Sequence, residues 1–116
     1  MGDAENAGME INFDRQYVEP ILKGEKKTTI RKGIKLNLLK KGKDTGNIAD
    51  LVANGEVFAQ AKITKVIVKR ADELTDDDAL LDGFHNLEEL MTTLTNIYGE
   101  LNENELITII HFDVVD

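Results

Sequence analysis

Apolar positions along the 116-residue chain fall into short alternating runs punctuated by glycine, with two stretches of helical spacing. Ile11-Asn12-Phe13 alternates as a short strand does. Asp14 is placed to cap a helix carrying Tyr17, Val18, Ile21 and Leu22. Pro20 moves its expected start toward Tyr17, because proline is tolerated in a first turn and kinks a helix interior. Gly24 is the natural stop. Thr28 to Arg31 is short and β-prone. Gly33 to Gly46 is rich in lysine and turn residues, with Leu36, Leu38 and Leu39 as anchors. Ile48 to Ala53 reads as a strand that ends at Asn54-Gly55, a strong hairpin signal. Glu56 to Lys69 returns as a long strand. Ala59, Ala61 and Ile63 share one parity and Val66 and Val68 the other, so the apolar pattern slips near Lys65 as at a bulge.

Helical spacing appears later. Thr75-Asp76-Asp77-Asp78 has the form of a capping box, and Gly83 ends the short helix it opens. Asn86 with Glu89 repeats the device. Leu87, Leu90, Met91, Leu94, Ile97 and Tyr98 then share a face, which reads as core. Gly99 closes that helix. From Glu105 to Val115 both parities are apolar, which predicts a central strand: Leu106, Thr108, Ile110, Phe112 and Val114 on one side, Ile107 and Ile109 on the other. Strands joined by hairpins, with the helices segregated, predict an α+β fold: a mixed or antiparallel sheet curled into a barrel with flanking helices.

Composition adds bounds. The length suits one domain, expected over residues 10–116 behind a flexible tail at 1–9. The chain has no cysteine, which excludes disulfides, thiolate metal sites and cysteine nucleophiles. That absence suits a reducing compartment, so a cytoplasmic location is expected. No apolar run approaches the roughly 20 residues of a membrane helix. Net charge is −8, but its sign is segregated. Nine of the 14 Lys/Arg fall between Lys23 and Lys43 beside one acid, Glu25. That stretch is a basic face on an acidic body. It suits a solvated lysine loop or a local polyanion contact.

Candidate chemistry centres on Gly24-Glu25-Lys26-Lys27-Thr28-Thr29-Ile30-Arg31. If the whole run is extended, Lys27, Thr29 and Arg31 share one face and Lys26, Thr28 and Ile30 the other. A lysine held in a partly dry cleft has a depressed pKa and can act as a base toward a hydroxyl. Taken alone, these residues suit a sheet edge kept soluble by lysines better than a site. No glycine-rich phosphate loop is present. His85 and His111 lack ligand-like spacing, and Asp76-Asp77-Asp78 fits no calcium loop, so neither metal nor cofactor is expected. Acids in a first helical turn complement the helix dipole.

The run Ile21-Leu22-x-Gly24-x-Lys26-x-Thr28-Thr29-Ile30-Arg31 resembles the opening signature of ASCH domains. The strand Ala61 to Val66, then Asp82-Gly83-Phe84, Glu89-Leu90, Tyr98-Gly99 and the closing Ile110-His111-Phe112 agree in order and spacing. The resemblance covers Ile11 to Asp116. It implies a PUA-like β-barrel, RNA-linked roles, and a cleft between barrel and helices that takes a nucleotide or RNA. One bacterial branch of the family is a small amidohydrolase that deacetylates acetylated cytidine. Its lysine matches Lys26, its nucleophilic threonine Thr29, and a signature arginine Arg31. Its glutamate aligns with Gly83, leaving Asp82 or Asp78 as a shorter substitute. The expectation is therefore RNA or nucleotide binding in a cleft lined by Lys26, Thr29 and Arg31, with Lys27, Lys32, Lys35, Lys40 and Lys41 contacting phosphates. The alternative is amidohydrolysis of a modified cytidine by Thr29, Lys26 and Asp82. A third reading is a protein contact through the acidic helices. With two tyrosines, four phenylalanines and no tryptophan, extensive base stacking is not expected. A monomer is favoured.

Overall fold

The computed structural model describes residues 9–35 and 48–115; Leu36, Leu38, Leu39, Lys40 and Lys41 of the basic stretch lie outside the described residues. Strand β1 (Glu10–Asn12) leads through a 3-10 turn (Arg15–Tyr17) into helix α1 (Val18–Leu22). Asp14 does not cap it: neither the turn nor the helix receives a side-chain cap bond, and α1 begins at Val18. Pro20 is the reason. As the third residue of α1 its missing N–H falls among the donors that a first turn leaves unpaired.

Strand β2 (Thr28–Lys32) follows, and β3 (Ile48–Ala53) turns back into β4 (Glu56–Arg70). At that turn Asn54 and Gly55 have φ of 53° and 79°, the left-handed pair of a type I′ hairpin. After a 3-10 turn (Ala71–Glu73) come helices α2 (Asp76–Leu81) and α3 (Leu87–Tyr98), then β5 (Leu106–Val115).

The sheet runs in the order β1-β3-β4-β5-β2. Among the described residues only β1 and β3 pair in parallel; the other pairs are antiparallel. The mixed sheet curls into a half-barrel that carries three helices. Strand β5 is central, between β4 and β2, as its two-sided apolar pattern requires. Ile110 and Phe112 join Ile11, Phe13, Ile21, Leu51 and Ile63 on one face. Ile107 and Ile109 join Ile30, Leu74, Leu90 and Leu94 on the other. The β4–β5 register shifts between Ile63 and Lys65. The extra residue returns Val66 to the same core as Ala61 and Ile63, although its parity in the sequence is opposite.

Two caps hold the helices that face the sheet. Thr75 Oγ1 accepts from Asp78 N at 3.1 Å, and the Asp78 carboxylate accepts from Thr75 N at 3.0 Å. Asn86 Oδ1 accepts from Glu89 N at 2.9 Å, but Glu89 reaches back one residue further than a capping box does, to His85 N at 2.9 Å. Among the described residues no helix is long and apolar enough to cross a membrane.

Two outcomes check this packing. Leu90 is fully buried, so Leu90→Ala costs about 2–5 kcal/mol in denaturant unfolding. Asp78 also meets Lys69 Nζ at 2.8 Å. Burial pushes its pKa up, but the bonds from Lys69 and Thr75 outweigh that and hold it below 3.8. A depressed pKa stabilises the fold above the unfolded value and loses that stabilisation as pH falls through the folded one. The stability gap between the native chain and Asp78→Asn is therefore full near neutrality and closes below pH 4 in urea melts.

Candidate functional site

The site begins with how the backbone of Lys26 is clamped. Gly24 takes a φ of 80° after α1, a conformation glycine adopts without a Cβ penalty. The chain then folds back so that Glu25 N and Lys26 N both donate to Pro20 O, at 2.8 and 3.1 Å. Lys27 N donates to Leu81 O at 2.7 Å, and Lys27 O accepts from Phe112 N at 3.1 Å. The residues between α1 and β2 are thus tied to α1, to the end of α2 and to the central strand.

The end of α2 brings the carboxylate. Phe84 N donates to Ala79 O and Gly83 N to Leu80 O, at 2.9 and 3.1 Å. This is a Schellman motif with Asp82 at the C-cap and Gly83, at φ 95°, as its left-handed residue. Asp82 is directed inward, where Oδ1 meets Lys26 Nζ at 3.0 Å and accepts from Thr28 Oγ1 at 2.9 Å. Lys26 Nζ also donates to Asp82 O at 3.1 Å and lies 5.0 Å from the Tyr17 ring centroid. Lys26 and Asp82 are each 5% exposed. No buried side-chain polar atom among the described residues is without a hydrogen-bond partner.

A cleft of about 180 Å³ opens above this pair, between the strand ends and α3. Lys26, Thr29, Arg31 and Asp82 line it, together with Phe13, Asp14, Tyr17, Phe84 and Tyr98. Thr29 Oγ1 accepts from Arg31 Nε at 2.9 Å, which leaves its own O–H to donate. Arg31 also donates to Asn12 O at 2.7 Å and lies 5.3 Å from the Phe13 ring centroid. Since β1 and β2 are the two edges of the sheet, Arg31 spans its open seam. No hydrogen bond joins Lys26 to Thr29 among the described residues, and the hydroxyl that Asp82 holds is that of Thr28.

Burial dominates the electrostatics of the pair. It pushes the Lys26 ammonium down, aided by Arg31 and opposed by Asp82. It pushes the Asp82 carboxyl up, opposed by Lys26, Thr28 and Arg31. Burial thus works against the charged form of both groups, and each partner's charge offsets part of that cost in the other. Burial also lowers His111, with Lys65 adding to the effect. Among the described residues no group of three or more His, Asp or Glu is arranged to hold a metal.

The sequence-predicted residues divide accordingly. Lys26, Thr29, Arg31 and Asp82 meet at the cleft. Asp78 is engaged with Lys69 and Thr75 and does not line it. A glutamate at position 83 would need the left-handed backbone that φ 95° imposes, so glycine there belongs to this arrangement. The expected pairing of Lys27 with Thr29 fails. Strand β2 begins at Thr28, and strict alternation does not extend back through the turn. Lys27 is exposed and does not line the cleft. Lys32 and Lys35, also exposed, border a second hollow with Arg31.

Sequence reasoning missed Asp14, assigned to a cap, and Tyr98 and Ile97, assigned to core. Ile97 is 56% exposed at the cleft. Position at the C-terminal end of the α3 stripe, beyond the last buried residue Leu94, was the available signal.

Comparison with known proteins agrees with this architecture. The chain is 21% identical to an ASCH domain from Lactobacillus crispatus JV V101, covering 84% of this chain and 69% of that one, with a TM-score of 0.66. It is 18% identical to a protein from Enterococcus faecalis V583, covering 87% and 71%, with a TM-score of 0.63. A mutant of an ASCH protein from Zymomonas mobilis is 13% identical, covering 90% and 66%, with a TM-score of 0.62. At these identities the likeness is one of fold. No curated protein matches the chain. The family model for the ASCH domain matches residues 7–116. With that match spanning both the Lys26 turn and the closing strand, on a PUA-like α+β fold, the chain belongs to the ASCH domain family.

Proposed function

We propose that this ASCH domain binds RNA or a nucleotide, with one base-bearing unit entering the cleft. The observation that supports this most is the buried Lys26–Asp82 pair at the foot of a hollow lined by Tyr17, Phe84 and Tyr98. A buried ion pair is poor at stabilising a fold, because desolvation offsets most of its attraction. Placed under an aromatic-lined hollow, it offers a donor and an acceptor to a planar polar ligand. Ligand pockets commonly span about 300–1,000 Å³. A cleft of about 180 Å³ suits one base rather than a whole strand. Arg31 and the lysines beyond it supply positive charge on a chain of net charge −8.

A second reading, amidohydrolysis of an acylated cytidine, draws on the lowered pKa of Lys26. Neutral Lys26 would take the Thr29 hydroxyl proton as Oγ1 attacks the acyl carbon. The carbon–nitrogen bond then breaks, the leaving amine receives the proton, and water hydrolyses the acyl ester. Asp82 would hold Lys26 in place. Binding ranks first because Lys26 Nζ is bonded to Asp82 and not to Thr29 among the described residues, so catalysis requires a rearrangement that binding does not.

A titration of short RNAs at increasing salt checks the first reading: affinity falls as salt rises, and salt-independent or absent binding rejects it. Incubation with acetylcytidine checks the second. Released cytidine that disappears in Thr29→Ala supports hydrolysis; no release, or equal turnover by that variant, removes it. A third experiment separates function from folding. Asp82→Ala, which strands a buried ammonium, costs about 3–5 kcal/mol in thermal or urea unfolding. The double replacement Lys26→Met/Asp82→Leu recovers most of that stability yet binds no ligand. Retained binding by the double variant would show that the pair serves the fold alone.

A further inference from the structure

Beside the cleft lies a second hollow, of about 330 Å³, at the open seam where the edges β1 and β2 face one another. Arg31, Asn12 and Tyr98 border both hollows, so the two are contiguous. Arg31, Lys32 and Lys35 line the second one, and Glu10 is the one acid among its described residues.

Two features make this more than a group of surface lysines. Lys35 stands on a pinned backbone: its N–H donates to Thr108 Oγ1 at 3.0 Å, and that hydroxyl donates to Gly33 O at 2.6 Å. Thr108 is fully buried on the central strand, and Gly33 N is tied to Leu106 O at 2.8 Å. The guanidinium of Arg31 carries five N–H donors. One goes to Thr29 Oγ1 and one to Asn12 O, and the others have no protein partner among the described residues. A planar cationic fork with spare donors, in a hollow that two lysines also line, matches the oxygens of a phosphoester.

We propose that this seam hollow is a phosphate subsite, and that the ligand is a phosphorylated nucleoside unit, free or within RNA, rather than a bare nucleoside. The proposal rests on the reading that a base enters the adjoining cleft. Arg31 is the shared element: its Nε donates to Thr29 in the cleft, its Nη2 is held by Asn12 O, and the terminal N–H groups left over are free for a phosphate. Base and phosphate are then read together, and the phosphate supplies the salt-dependent part of the affinity.

The test is calorimetric titration of the full chain with cytidine, cytidine 5′-phosphate, cytidine 3′-phosphate and a cytidine trinucleotide. The phosphorylated ligands are expected to bind roughly tenfold or more tightly than cytidine, with only that increment eroded by salt. In Lys32→Ala/Lys35→Ala, its fold verified by an unchanged melting curve, the nucleotide binds no better than cytidine binds the native chain. A gain shared by monophosphate and trinucleotide indicates a single phosphate site; a gain for the trinucleotide alone indicates a phosphodiester within RNA. Equal binding of cytidine and all its phosphates overturns the subsite and leaves the base cleft standing. A phosphate increment that survives in the double variant also overturns it. Absence of binding by every ligand overturns the subsite and the cleft reading together.

Discussion

An ammonium and a carboxylate that belong to residues 56 positions apart meet inside this domain, Lys26 Nζ on Asp82 Oδ1 at 3.0 Å. Three otherwise separate pieces of chain are reconciled by that contact. The turn after α1 has to deliver Lys26 inward, α2 has to end so that Asp82 is directed toward it, and β2 has to start at Thr28 so that a hydroxyl completes the set. Each requirement is met by backbone chemistry rather than by the ionic attraction. Pro20 O collects two amide donors, Gly24 and Gly83 supply left-handed residues, and Lys27 is bonded on both sides. The charges are brought together by a framework that is already hydrogen-bonded. This is how a pair that costs desolvation energy is held in place.

Much of the framework was legible in the chain because its signals are local. Asn54-Gly55 demands a two-residue hairpin, and the parity slip by Lys65 demands a bulge. The doubly apolar run from Leu106 demands a central strand. Each depends on a few neighbouring residues, so each survived folding. The failures came where a local preference met a long-range one. Asp14 has the chemistry of an N-cap, but Pro20 moves the helix start beyond its reach, and Asp14 lines the cleft instead. Alternation put Lys26 with Thr28, and both meet Asp82 Oδ1, but Lys27, in the turn before β2, is exposed and does not join Thr29 and Arg31 at the cleft.

The site was legible in part for the same reason. Lys26, Thr29 and Arg31 stand within six residues, so one signature reveals them. Asp82 was visible only as a neighbour of the position where the related amidohydrolase has glutamate. The cap resolves the ambiguity: Gly83 has to be left-handed to close the helix and packs against Lys26 without a side chain, and the C-cap residue Asp82 supplies the carboxylate. The aromatic lining could not be read ahead. Tyr17, Phe84 and Tyr98 come from three elements, and only the packing of α3 beside the strand ends assembles them. Ile97 looked like core because helical periodicity reports a face and not where along that face the core ends.

The account stands or falls on whether the Lys26 ammonium is a desolvated group in contact with a ligand cleft. The direct measurement is a pH titration of the Lys26 side-chain ε-carbon resonance, with and without added cytidine. The account predicts a midpoint below the ordinary 10.5 and a resonance that moves when cytidine is added. A midpoint at the ordinary lysine value, with no response to the ligand, would contradict it.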